Sequence, residues 1–142
     1  MRSKVDTELD RLLAENIIEP VAHYSWAAPT VPVLKGDGTV RICGDYRLTV
    51  NQVSKVNAYP VPRIDDFFVT LGGGKIFSKL DMKSAYNQLL LSPESRPLTT
   101  INTQRGLFQY NRLCFGVASA PGIFQKTIED LLRGIPGVCV PQ

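Results

Sequence analysis

Cysteine and histidine are scarce, and apolar runs are short. The 142 residues hold three cysteines and one histidine. Cys43, Cys114 and Cys139 lie far apart, are odd in number and form no C-x-x-C pair, so neither a zinc site nor a disulfide framework is expected. His23, in His23-Tyr24-Ser25-Trp26, has no partner at metal spacing and is expected at the surface or in packing. No apolar run approaches the ~18 residues a membrane helix needs. The start, Met1-Arg2-Ser3-Lys4-Val5-Asp6, is charged where a signal peptide has its apolar core. The expected setting is therefore reduced and intracellular, cytoplasmic or nuclear, not secreted and with no membrane partner. Internal repeats and low-complexity tracts are also absent, as is any Ser-His-Asp or Cys-His set with a plausible frame.

What is present suits a folded domain. Apolar residues at 44% and charged residues at 20% exclude disorder, collagen and coiled coil. The length fits one domain, or two small subdomains sharing a core. The net charge of +3 is unevenly spread. Residues 1–66 hold 8 basic and 9 acidic side chains; residues 67–142 hold 8 basic and 4 acidic. The excess centres on Lys75, Lys79, Lys83, Arg96, Arg105 and Arg112. It admits a polyanion partner, but on charge alone a solvated basic face is the favoured reading.

Apolar spacing predicts an amphipathic helix from Val5 to Ile18, capped by Asp6 or Thr7 and ended by Pro20. Residues 20–32, with Pro20, Pro29 and Pro32 around Trp26, read as irregular extended chain. Val31–Lys35 and Val40–Cys43 read as a hairpin about Gly36-Asp37-Gly38. Residues 48–63 are polar and then punctuated by proline, which argues against a regular element before a short helix, Ile64–Leu71.

The triplet Gly72-Gly73-Gly74 invites a phosphate-loop reading. It fails, because Gly74-Lys75 is followed by Ile76 and the first glycine of that motif is missing. A helix-to-strand turn is expected instead, then a strand from Lys75 to Leu80 ending at Asp81 and a tight turn over Met82–Asn87. Thr99–Thr103 and Leu107–Leu113 read as a second strand pair around Gln104-Arg105-Gly106. Pro121–Leu132 reads as a helix with Ile123, Phe124, Ile128, Leu131 and Leu132 on one face. Val138-Cys139-Val140 reads as the start of a further strand. By these residues alone the sharpest chemical candidate is Asp81, at a strand end before a turn. A carboxylate there can bind a divalent ion beside backbone amides facing a phosphate, or merely cap the turn.

Longer stretches add to this. They are Trp26-Ala27-Ala28-Pro29-Thr30-Val31-Pro32-Val33, Lys35-Gly36-Asp37-Gly38-Thr39-Val40-Arg41, Asp45-Tyr46-Arg47 and Tyr59-Pro60-Val61-Pro62-Arg63-Ile64-Asp65-Asp66. Then follow Phe77-Ser78-Lys79-Leu80-Asp81-Met82-Lys83-Ser84-Ala85-Tyr86, Phe108-Gln109-Tyr110-Asn111-Arg112-Leu113, Phe115-Gly116-Val117-Ala118-Ser119-Ala120-Pro121 and Phe124-Gln125. In this order and spacing the chain resembles, from about Leu9 to Val140, the reverse transcriptase domain of gypsy-type (Ty3/gypsy-like) long-terminal-repeat retrotransposons.

The resemblance implies an α+β, partial right-hand polymerase fold. Residues 1–66 and 88–117 would be fingers-like, and 67–87 and 118–142 palm-like. The intact family performs RNA-directed DNA synthesis on an RNA or DNA template-primer with deoxynucleoside triphosphates and Mg2+ or Mn2+. By the same resemblance Asp81 is the first catalytic, metal-binding aspartate. Lys35 and Arg41 clamp the β- and γ-phosphates, on a hairpin face that sequence does not reveal. Ser84 and Ala85 offer backbone N–H groups to the triphosphate. Tyr86 lies beneath the sugar and crowds a 2′-hydroxyl. Phe115 and Gly116 line the nucleotide pocket, Arg47 and Asn51 lie near the template, and the helix Pro121–Arg133 packs under the palm sheet. Two ions about 4 Å apart need several carboxylates.

The family's other two aspartates belong to a Tyr-x-Asp-Asp hairpin directly after the strand written here Gly137–Val140. This sequence has Pro141-Gln142 there. The expectation is thus an incomplete palm, no thumb, connection or ribonuclease H, and a chain inactive by itself with weak metal binding or none. The alternatives are a non-enzymatic nucleic-acid-binding remnant using Arg47, Lys83, Arg105 and Arg112, or a functionless retroelement relic. The sequence also departs from the family at Gly44, Cys114 and Pro97-Leu98, so local packing there should differ.

Overall fold

Val5, Leu9 and Leu12 form one stripe of helix α1 (Arg2–Ala14) in the computed structural model, which describes residues 1–55, 59–60 and 62–140. Leu9 and Leu12 are buried, with Val5 and Leu13 packed beside them. The helix starts and stops earlier than spacing predicts. Neither expected cap acts: Thr7 Oγ1 donates back to Ser3 O, and Asp6 accepts from Gln104. The stop is Asn16, at φ 53°. Asn16 N–H donates to Leu13 O and Ile17 N–H to Leu12 O, which satisfies the last carbonyls. Asparagine adopts this left-handed backbone more readily than most residues, and its Oδ1 here accepts from Asn111 Nδ2. The released residues form strand β1 (Ile18–Pro20), so Pro20 sits in a strand rather than ending a helix.

Strand β2 (Ala28–Leu34) also begins earlier than expected, inside the supposed irregular segment. It pairs antiparallel with β3 (Val40–Gly44), Val31 opposite Cys43 and Val33 opposite Arg41. Lys35 N–H donates to Thr39 O, so the odd-numbered residues of β2 supply the bonds to β3. Pro32, which has no N–H, faces the other side and forfeits nothing. A single helical turn, α2 (Val50–Val53), follows within the polar stretch where no regular element was expected. Helix α3 (Ile64–Leu71) has the predicted bounds and ends at Gly72. Val61, within the proline-rich motif, and Pro141-Gln142 lie outside the described residues.

Strands β4 (Ile101–Thr103) and β5 (Gly106–Tyr110) form the second hairpin, and helix α4 spans Ala120–Leu132. The sheet order is β1-β5-β4-β2-β3, with β2 parallel to β4 and every other pair antiparallel. Its core joins Leu9, Leu12, Ile18, Ala28, Ile42, Ile101, Phe108 and Tyr110.

The rest of the chain is packed differently from expectation. Lys75–Leu80 is not a strand, and neither is Val138–Val140. A strand exists only where a neighbour takes its N–H and C=O groups in a ladder, and no described strand pairs with either stretch. Ile76 and Leu80 are each 92% exposed. Helix α3 buries none of its residues. Helix α4 buries Ala120, Gln125 and Ile128, whereas Ile123 and Leu131 of the predicted apolar face are exposed. It does not pack under a sheet carrying Asp81; it meets the turn at Ala85–Gln88.

Candidate functional site

The β2–β3 turn is a short loop closed by Gly38. Gly38 N–H donates to Lys35 O at 3.0 Å and Lys35 N–H to Thr39 O at 2.8 Å. Gly38 has φ 80°, the left-handed position that three-residue hairpin loops require. Asp37 Oδ1 accepts from Thr39 N–H and Oγ1, and these bonds hold its carboxyl below the usual range. The register then fixes the faces. Val40, Ile42 and Gly44 point into the molecule. Arg41 lies opposite Val33, and strand alternation puts Lys35 on the same outer face as both. The two cations expected on phosphate therefore share one side of the hairpin.

Aromatic rings continue that face. The Arg41 guanidinium carbon lies 4.4 Å from the centroid of Phe115. Phe115 meets Tyr86 at 4.9 Å and 38°, and Tyr86 meets Phe124 at 5.5 Å and 59°. The row runs from β3 through the 115 loop and the 85–88 turn to α4. Burial raises the Tyr86 hydroxyl pKa, so it stays neutral. Ser84 enters the turn at φ 50° and accepts from Asn87 N–H. Neither the Ser84 nor the Ala85 N–H donates to another described backbone group.

A cation over an exposed ring contributes about 0.5–1 kcal/mol. Phe115→Leu is expected to release Arg41 while the sheet stays folded. The upfield ring-current shifts of the Arg41 side-chain protons should vanish in the proton NMR spectrum. Unchanged shifts would show that the ring does not hold the guanidinium.

Gly116 sits where only glycine fits. Its φ is 98°, and a Cβ there would lie 2.2 Å from Gly44 O. Asn51 fastens the same loop from α2: its Nδ2 donates to Gly116 O and its Oδ1 accepts from Ala118 N–H, at 2.9 and 2.8 Å. The side chain expected near template is thus a loop staple. Arg47 forms a two-pronged pair with Asp45, Nε–Oδ1 2.8 Å and Nη2–Oδ2 2.6 Å. This pair holds the Asp45 carboxyl down at about 2. Asp81 is exposed and forms no hydrogen bond or ion pair with a described residue.

The three positions expected to depart from the family pattern converge on Tyr46, which is 1% exposed. Its hydroxyl donates to Thr99 O at 2.9 Å, at the end of the 3-10 turn Arg96–Thr99 that contains Pro97-Leu98. Cys114 Sγ donates to the same hydroxyl at 3.4 Å; burial pushes that thiol up to about 12, keeping its proton. A Cβ at Gly44 would stand 2.4 Å from Tyr46 Cε2, so the small residue leaves room for the ring.

The sequence reading brought Arg41, Phe115 and Tyr86 forward, and the fold joins them. It missed Phe124 as the third ring. The only available signal was an aromatic on the helix directly after the Phe115 loop. Of the remnant's four cations, Arg105 is paired with Asp10, Arg47 with Asp45, and Arg112 Nη1 donates to Asn87 O. No helix among the described residues is long and apolar enough to cross a membrane.

The chain is similar to known proteins. The chain is 40% identical over 138 residues to an uncharacterized protein of Caenorhabditis elegans, covering 96% of this chain and 11% of that protein. It is 34% identical over 137 residues to a retrovirus-related Pol polyprotein from transposon opus of Drosophila melanogaster, covering 94% and 14%. For the Pol polyprotein from transposon gypsy of the same fly the identity is 33% over 135 residues, covering 91% and 13%. Among solved structures, a prototype foamy virus protease-reverse transcriptase mutant superposes with a TM-score of 0.84 at 28% identity, covering 99% of this chain and 19% of that one. A foamy viral protease-reverse transcriptase in complex with double-stranded DNA shares the fold, with a TM-score of 0.83 at 22% identity over 98% of this chain and 24% of that one. The mixed helix and sheet thus form part of an α+β polymerase fold. The chain spans less than a fifth of these curated relatives. Residues 33–140, which carry the hairpin cations, Asp81 and the ring row, match the family described as Reverse transcriptase (RNA-dependent DNA polymerase), and the chain belongs to that family.

Proposed function

We propose that this chain is the nucleotide-facing part of an RNA-directed DNA polymerase, joining deoxynucleoside triphosphates to a primer on an RNA or DNA template. The observation that carries the reading is the shared face of Lys35 and Arg41, with Arg41 laid on Phe115 and Phe115 against Tyr86. Cations beside a row of aromatic rings suit a ligand with a polyphosphate and a planar base. Lys35 and Arg41 take the β- and γ-phosphates, and the Ser84 and Ala85 N–H groups take the remaining oxygens. Tyr86 lies under the sugar, where its ring opposes a 2′-hydroxyl, and Phe115 and Gly116 wall the pocket. The sheet-bearing residues 1–66 and 88–117 serve as fingers; residues 67–87 and 118–142 serve as palm. Toward the template, Arg47 stays exposed beside Asp45, and Asn51 acts through the loop it holds at Gly116 and Ala118. A nucleic-acid partner is supported by the foamy viral enzyme, whose structures hold double-stranded DNA and an RNA/DNA hybrid.

The family's chemistry calls for divalent metal, magnesium or manganese. Asp81 is the carboxylate this chain offers, but no group of three or more His, Cys, Asp or Glu among the described residues could hold an ion. The described residues therefore do not make a two-ion site, and catalysis needs further carboxylates. The 142-residue polypeptide is expected to extend no DNA primer on an RNA template with either metal. The same residues joined to a segment bearing two more aspartates should extend it, and Asp81→Ala should abolish that extension. Synthesis by the 142 residues alone, or synthesis that survives Asp81→Ala, would refute the assignment.

The non-enzymatic remnant is the weaker reading. Three of its four cations are engaged within the protein, which leaves little free charge for a template.

A further inference from the structure

Helix α1 holds the tips of both hairpins. Lys4 Nζ donates to Gly38 O in the β2–β3 turn at 2.8 Å. Further along the helix, Asp6 Oδ1 accepts from Gln104 Nε2 at 2.8 Å, and Asp10 Oδ1 pairs with Arg105 Nη1 at 2.5 Å, both on the β4–β5 turn. Leu9 and Leu12 anchor the helix body in the core. The β2–β3 tip is otherwise isolated. Among the described residues, the Lys4 bond is the one hydrogen bond reaching residues 35–39 from outside the hairpin.

The side from which Lys4 grips matters. Val5 of α1 shares a cleft of about 270 Å³ with Thr30, Pro32 and Ile42, so the helix lies against the inward face of the hairpin. Lys35 and Arg41 leave by the opposite face. Lys4 is therefore behind the turn, with the strands between its ammonium group and anything the two cations bind.

We propose that Lys4 is a positioning residue for the triphosphate clamp: acting through Gly38 O, it fixes the height of the turn and so the placement of Lys35 and Arg41, without touching the nucleotide. The proposal rests on the nucleotide-site reading given above. A lone hairpin tip samples many orientations, and each must be lost when phosphate binds. A strut that removes part of that freedom beforehand strengthens binding with no contact of its own.

The test uses the full chain with 2′-deoxythymidine 5′-triphosphate and magnesium. Binding should be on the order of 1 mM, because exposed charges carry it. In Lys4→Met the amide hydrogen exchange of Lys35 and Gly38 should quicken by about 2- to 10-fold, the range for losing one hydrogen bond. Triphosphate affinity should weaken by a similar factor or less, and Lys4→Arg should restore both. Unchanged exchange at Lys35 and Gly38 overturns the strut. Weaker binding with unchanged exchange would place Lys4 on the phosphate itself, which also overturns it, as does unchanged affinity despite faster exchange. Failure of the underlying reading shows separately: Lys35→Ala with Arg41→Ala would then bind like the parent. In that case the exchange rates alone decide whether Lys4 holds the turn.

Discussion

Tyr46→Ala is expected to lower stability by about 3–5 kcal/mol, the range for deleting a large buried aromatic side chain. Tyr46 is buried among β3, the 3-10 turn at Arg96–Thr99 and the loop at Cys114, and it touches all three through its ring or its hydroxyl. Removing it leaves a cavity and strips Thr99 O and Cys114 of their partner. Tyr46→Phe separates these contributions. It keeps the ring and loses only the hydroxyl, so about 1–3 kcal/mol should go, mostly from the buried carbonyl left without a donor. Urea unfolding followed by circular dichroism measures both. Equal losses in the two variants would mean that packing contributes nothing.

Gly116→Ala should have a comparable effect, about 2–6 kcal/mol, the sum of backbone strain and overpacking. The added Cβ would face Gly44 O, a backbone atom whose strand is pinned by Asp45 N–H donating to Pro29 O. A flexible side chain could swing away, but this carbonyl cannot without opening the end of β3. Gly134→Ala is the control. Gly134 also has a positive φ, 88°, but nothing lies within 4 Å of a Cβ there. That substitution should lose only the conformational part, about 1–2 kcal/mol. If the two variants unfold at the same urea concentration, the close approach of the two loops is not what makes Gly116 a glycine. Because Asn51 bonds Gly116 O and Ala118 N–H, Gly116→Ala should also disturb the Phe115 ring.

Local chemistry was legible where it decides structure by itself. Gly36-Asp37-Gly38 announced the first hairpin because glycine at positive φ and an aspartate bonding its neighbours make the turn without outside help. Helix α3 was legible because Gly72 ends it. The register of Lys35 and Arg41 was not legible: Val31 and Val33 are as apolar as Val40 and Ile42, so the sequence offers no contrast to tell the outer face from the inner. Asn16 hid the end of α1 because it does a glycine's work without a glycine's signature. Lys75–Leu80 misled for the opposite reason. Its residues favour a strand, but pairing is a property of two segments, and no described segment pairs with this one. At the site, Arg41, Phe115 and Tyr86 were found one by one through family resemblance. Their alignment in one row, and Phe124 at its end, required the docking of α4 against the 85–88 turn.

The strand order has a consequence for how the protein is made. Strands β4 and β5 lie between β1 and β2, so Ile18 must wait for Tyr110 and Ala28 for Ile101 before either finds its partner. At roughly 5–20 residues per second of synthesis, the early strands remain unpaired for several seconds on the order of magnitude. During that interval the early helices and the β2–β3 hairpin can form from local contacts, and the five-stranded sheet closes when the second hairpin arrives. A nascent chain that has not yet released residue 101 from the ribosome should thus expose Ile18 and Ala28 to chaperones, and one that has released residue 110 should hide them.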